Sequence, residues 1–236
     1  MRMSGNFKWK AGWLLPVLVL VACNSGAPAE PAAPASSGPV AYAAPKTAAD
    51  SSAQVLDGRQ VVITHDCSGC HGGSNPEAKG WLAGVMSPQQ EFYIGACSVT
   101  NPKGKPCFIT RPRNLTPDNA TGLGRFTERQ IFNSLRYGLR PEDTPDVEIT
   151  STMPGQGNFP AAPHYLAVPM PWTAWRHMTD RELWSIAAYL KRGLAPVVNK
   201  VAESEGPPDF WASAYVDSLI GKYPAAPFPT ANEHKP

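Results

Sequence analysis

Cys67-Ser68-Gly69-Cys70-His71 is the run in this chain whose residue types and spacing do the most specific chemistry. Two thiols two residues apart can both add to the vinyl groups along one edge of a porphyrin, forming thioethers. The histidine that follows can present an imidazole nitrogen to the iron from the same turn. C-x-x-C-H is the attachment signature of a c-type haem. Ser68 and Gly69 are small, so the backbone can lie against the ring edge. A bare C-x-x-C is also half a zinc site or a redox dithiol. Zinc needs about four ligands, and the chain has no second C-x-x-C or H-x-x-x-H pair. A redox dithiol calls for a βαβ setting, which the pattern does not suggest.

A haem iron fixed by His71 has one further position. Methionine there gives an electron-transfer haem of raised potential; an open position permits ligand binding or peroxide chemistry. The candidates are Met86, Met153, Met170 and Met178, with His65, His164 and His177. Met170 is the first choice. It lies in Val168-Pro169-Met170-Pro171-Trp172, where prolines on both sides stiffen the backbone. Met153 also precedes a proline and is its competitor. Met178 lies before a helix cap and is expected to pack. Lone histidines are more often surface or core residues than ligands.

The other cysteines sort by compartment. Arg2, Lys8 and Lys10 precede an apolar run from Ala11 to Val21, too short to span a bilayer comfortably. The run ends in Leu20-Val21-Ala22-Cys23, which resembles the lipobox of bacterial lipoproteins. That resemblance implies cleavage before Cys23 and lipid on its sulfur; an ordinary signal peptide is the alternative. Exported chains meet an oxidising compartment. Cys97 and Cys107, ten residues apart, are therefore expected to form a local disulfide rather than stay as two buried thiols. The expected location is the bacterial cell envelope, facing the periplasm, on the outer or inner membrane.

Charge excludes one class of partner. Residues 1–22 carry three of the 21 basic residues and none of the 19 acidic ones, so the remainder is nearly neutral. No basic patch argues for nucleic acid.

The elements that must position these groups follow from periodicity and caps. Residues 23–52 are rich in Ala, Pro, Ser and Gly and cannot bury a core. They read as a disordered linker, its ends roughly 30 Å apart as a coil. Residues 53–201 read as one domain and 202–236 as a tail. Helices are predicted from Gln54 to Asp66, from Thr127 and from Thr179. The last two open on capping boxes, Thr-Glu-Arg-Gln and Thr-Asp-Arg-Glu. The loops between are rich in Pro and Gly, with little β alternation. A short helix is predicted after Pro207-Pro208-Asp209, packing back on the domain or serving a partner. The expected fold class is all-α, a small helical domain with long loops around one covalent haem. A buried haem adds apolar surface that so small a core needs.

From Gly58 to about Pro196 the chain resembles class I c-type cytochrome domains, especially those of cytochrome subunits serving periplasmic alcohol, aldehyde and sugar-acid dehydrogenases. The matching pieces are Cys67-Ser-Gly-Cys-His71, Asn114-Leu-Thr-Pro-Asp118, Thr121-Gly-Leu-Gly-Arg-Phe126, Leu135-Arg-Tyr-Gly138, Met170-Pro-Trp172 and Met178-Thr-Asp-Arg-Glu-Leu183. The resemblance implies haem c bound by Cys67, Cys70 and His71, with Met170 as the distal ligand. It also implies that Asn114 and Arg113 meet the propionates, although the residues by themselves are equally suited to capping a turn. Implied partners are redox proteins: a dehydrogenase, an oxidase or another cytochrome. The implied function is single-electron transfer, with no catalytic side chains. The alternatives are a haem enzyme or sensor with an open sixth site, or a haem-bearing anchoring subunit of a larger complex. Those dehydrogenase subunits commonly carry three haem domains and a membrane helix, whereas this chain has one haem motif and a lipobox-like run.

Overall fold

The structure is a computed structural model that describes residues 47–85, 90–223 and 232–234. The expected signal peptide, Cys23 and most of the expected linker lie outside the described residues.

Helix α1 runs from Ala48 to Thr64, capped by Thr47, whose hydroxyl accepts from the Asp50 amide. It starts six residues before the predicted Gln54, because residues 48–53 continue its helical turns. Arg192 fixes this extension by donating to Ser51 and Gln54. Helix α2 is the short turn Cys67–His71. Helix α3 spans Glu128–Tyr137, and α4 is the single turn Trp172–Trp175. Helix α5 spans Asp180–Ala188 and continues as a wider π turn over Tyr189–Gly193. Both predicted capping boxes form: Thr127 exchanges bonds with Gln130, and Thr179 with Glu182. Each satisfies two of the amides that a helix start leaves unpaired.

Helix α5 is the hub. Helices α1 and α3 both pack on it. Gly58 makes the first approach possible: a Cβ there would stand 1.8 Å from the Ser185 carbonyl oxygen. On the other side Phe132 of α3 stacks on Trp184 of α5, ring centroids 4.5 Å apart. Val62, Leu183, Ile186 and Leu190 fill the seam and are almost fully buried. Each such side chain contributes about 1.5–3 kcal/mol by leaving water.

The helices are not the whole architecture. Strands β1, Phe92–Gly95, and β2, Cys107–Thr110, form an antiparallel hairpin in the register Phe92↔Thr110 to Gly95↔Cys107. Strands of four residues are too short to announce themselves by alternation. Cys97 and Cys107 are joined by a disulfide across the hairpin's loop. The chain after α5 then returns along β2. Glu205 exchanges two backbone hydrogen bonds with Ile109, and Trp211 packs on Ile94 and Phe108. The helix predicted to start near Asp209 is replaced there by a left-handed turn, φ 61°. The Asp209 carboxylate accepts from the Tyr165 amide and meets His164 Nδ1, which draws the chain out of helical geometry. Helix α6 is a single turn at Asp217–Ile220. No helix among the described residues is long and apolar enough to cross a membrane.

Candidate functional site

The site begins where α1 stops. Asp66 turns left-handed, φ 48°, and its carboxylate accepts from the Gly69 amide and the Ser68 hydroxyl. That cap starts the one-turn helix α2, which places Cys67, Cys70 and His71 on a common wall. The wall belongs to a cavity of about 320 Å³. Its other surfaces come from α1, β1, β2, α3, α5 and the segment around Met170, and are mainly aliphatic: Val62, Leu135, Ile186 and Leu190 are typical. Elements distant in sequence thus converge on one apolar chamber with few polar groups, the general form of a cofactor site.

His71 is oriented by the backbone. Its Nδ1 donates to the carbonyl of Arg113 at 2.7 Å. A carbonyl only accepts, so Nδ1 carries the proton and Nε2 is the nitrogen with a free lone pair. Metal-binding histidines are commonly fixed in this way. Burial holds the imidazole below the usual histidine range, outweighing the Arg113 carbonyl, which acts the other way. The neutral, ligating form is favoured.

Cys67 and Cys70 are free thiols. Burial pushes the Cys67 thiol up to about 11. A redox dithiol needs the opposite shift, toward thiolate. No group of three or more His, Cys, Asp or Glu suited to a metal ion comes together among the described residues. The donor set fits an iron porphyrin better than zinc: two thiols at one wall, one oriented imidazole, and an apolar chamber for the ring.

Met170 lines the same cavity as His71. It is partly buried and packs against the helical core. Its amide donates to the Ala167 carbonyl, and Pro169 and Pro171 flank it. Met153 is 58 % exposed and does not line the cavity. Met178 packs against the core away from it, and Met86 lies outside the described residues. Among the histidines, His164 is held by Asp209 and His177 by the Ile220 carbonyl. His65 does reach the cavity wall, its Nδ1 bonded to the Val61 carbonyl.

Asn114 and Arg113 both make hydrogen bonds within the protein. Asn114 is 1 % exposed and its amide is fully used. Its Nδ2 donates to Thr121 Oγ1 and the Val197 carbonyl; its Oδ1 accepts from the Thr116 amide and hydroxyl. These four bonds tie the turn at 114–121 to the chain at Val197. The Arg113 guanidinium bonds the Val201 and Ala202 carbonyls and Glu203. Its carbonyl orients His71, and Arg113 also lines the cavity. Sequence reasoning missed the neighbouring Arg111, which lines the cavity between Glu91 and Glu205. The sequence offers no signal for it, because the hairpin it follows has none.

No family model matches this chain. Relatives do. A fructose dehydrogenase cytochrome subunit from Gluconobacter japonicus is 25 % identical over 140 residues, 59 % of this chain and 21 % of the relative. The cytochrome c subunit of an alcohol dehydrogenase (quinone) from Gluconacetobacter polyoxogenes is 25 % identical over 146 residues, 62 % of this chain and 23 % of the relative. The cytochrome c subunit of an alcohol dehydrogenase (quinone) from Komagataeibacter europaeus is likewise 25 % identical over 146 residues, with the same shares of 62 % and 23 %. The matched region thus spans less than a quarter of each relative's length. The likeness to cytochrome subunits supports a cytochrome c-like domain with a haem electron-transfer role.

Proposed function

We propose that this chain is a mono-haem c-type cytochrome of the bacterial envelope, tethered by lipid on Cys23, that passes single electrons between redox proteins, a dehydrogenase among them. Its fold class on this reading is an all-α cytochrome c-like domain to which a small hairpin has been added. The observation that carries the reading is one cavity shared by Cys67, Cys70, His71 and Met170, with His71 Nδ1 committed to the Arg113 carbonyl.

The residues divide the work. Cys67 and Cys70 hold the porphyrin edge as thioethers. His71 offers Nε2 to the iron, its ring fixed by Arg113. Met170 offers sulfur from a loop stiffened by two prolines, so its geometry need change little between oxidation states. The aliphatic walls exclude water and lower the local dielectric. Bound haem supplies the one-electron step, and thioether ligation and burial both raise its potential.

The experiment is a redox titration of the purified haem protein with carbon monoxide as a probe. A reversible one-electron wave, a weak far-red sulfur-to-iron band in the ferric state and slow carbon monoxide binding are expected. Rapid carbon monoxide binding without the band would instead make this an open-site haem enzyme or sensor.

A further inference from the structure

Met170 sits in a segment that returns from the cavity wall into α5, and both ends of that segment are bonded to one short stretch, residues 136–140. On the entering side the Arg140 amide donates to the His164 carbonyl at 2.9 Å and Arg140 Nε to the Tyr165 carbonyl at 3.0 Å. The Leu166 amide donates to the Gly138 carbonyl at 2.7 Å. On the leaving side the Arg136 guanidinium donates to the Arg176 carbonyl, to the Met178 carbonyl at 2.7 Å, and to Asp180 in the first turn of α5.

Arg136 is 2 % exposed. Its guanidinium faces the rings of Phe132 and Tyr223, 5.4 and 4.9 Å from their centroids. A buried guanidinium stripped of its partners is strongly unfavourable. The two carbonyls and Asp180 must therefore stay where Arg136 can reach them, and the segment's end stays with them.

The middle of the segment is held by shape. Trp172 is 2 % exposed, and its amide donates to the Met170 carbonyl at 2.9 Å. Tyr165 stacks on its indole and Tyr215 meets it edge-on, centroids 6.1 and 4.8 Å away. Gly138 forms the floor. It has φ 68°, and a Cβ there would lie 2.2 Å from the indole ring. Any side chain at 138 pushes on Trp172, and through it on Met170.

We propose that the C-terminal turn of α3 is the device that keeps Met170 at the cavity, with Arg136 and Gly138 as positioning residues for the sixth ligand. The proposal rests on the reading of Met170 as that ligand. Neither residue touches the cavity, and their effect is on where the thioether stands, not on haem attachment.

The test compares Gly138→Ala and Arg136→Lys with the unaltered haem protein and with Gly80→Ala, whose new methyl would meet nothing within 4 Å. Lysine keeps the buried charge but has no fork to span two carbonyls and a carboxylate. In Gly138→Ala the covalent haem is expected to remain, the far-red band to be lost and carbon monoxide to bind readily. In Arg136→Lys the band is expected to weaken and the potential to fall. Gly80→Ala should match the unaltered protein. If both variants only melt earlier, with band and potential unchanged, their role is merely structural and the proposal is overturned. If Gly138→Ala does not accumulate, Arg136→Lys decides alone. Absence of the band from the unaltered protein is a different failure: it removes Met170 as ligand before any positioning is tested.

Discussion

His71 and Arg113 are 42 residues apart in the chain, and the Nδ1 of one donates to the carbonyl of the other at 2.7 Å. The same Arg113 sends its guanidinium outward to Val201, Ala202 and Glu203. One residue thus links the imidazole to the C-terminal segment. That segment is stitched on further by Asn199, which donates to the Ala83 and Val85 carbonyls. The residues after the last long helix therefore belong to the wall behind the haem motif.

The bonds of Asn114 separate a propionate contact from a turn lock. Asn114→Ala removes four hydrogen bonds at a buried site and should cost about 2–3 kcal/mol of stability. Chemical denaturation of the haem protein reads this directly. The midpoint potential should hardly move. A clear potential shift at unchanged stability would restore the propionate role.

The two methionines that precede prolines should behave oppositely. Met170→Ala should abolish the far-red band, lower the potential and open the iron to carbon monoxide, with the haem still attached. Met153→Ala should do none of these, because Met153 is exposed and away from the cavity. Ferric absorption spectra of the two variants check this, and a large effect of the second would assign the ligand to Met153 instead.

Legibility varied with the range of the interaction. The α3 and α5 starts were readable because their capping boxes are local: Thr127 with Gln130, Thr179 with Glu182. The grouping of Cys67, Cys70 and His71 on one cavity wall was readable because their spacing is local. The Arg113 carbonyl was not, since any residue supplies a carbonyl and nothing in sequence says which one folds over His71. The roles of Asn114 and Glu205 were hidden for the same reason: their partners, Val197 and Ile109, lie more than 80 residues away. The burial of Arg136 was not legible, because its partners, the Arg176 and Met178 carbonyls and Asp180, lie about 40 residues further along the chain.

Cys97 and Cys107 close the hairpin's loop. Replacing both with serine should lower stability by roughly 3 kcal/mol on the chain-entropy model. The haem spectrum should be unaltered, since neither residue lines the cavity. Alkylation of the denatured, unreduced protein should label neither sulfur; labelling of both would refute the bridge in the native protein.

Cys23 lies outside the described residues, so its test is chemical. The mature N-terminus should be an acylated Cys23, and Cys23→Ser should release the protein from the membrane fraction with its haem in place. A mature chain that starts elsewhere, or an unmodified Cys23, would rule out the tether.

Covalent attachment of haem through Cys67 and Cys70 underlies every other role assigned at the cavity. Intact mass spectrometry of the denatured, mature protein tests it, using protein from a host with working cytochrome maturation. The expected mass is that of the processed, acylated chain plus one haem, and the haem addition should be lost when both cysteines are replaced by alanine. A mass that lacks the haem, with both thiols open to alkylation, would contradict it.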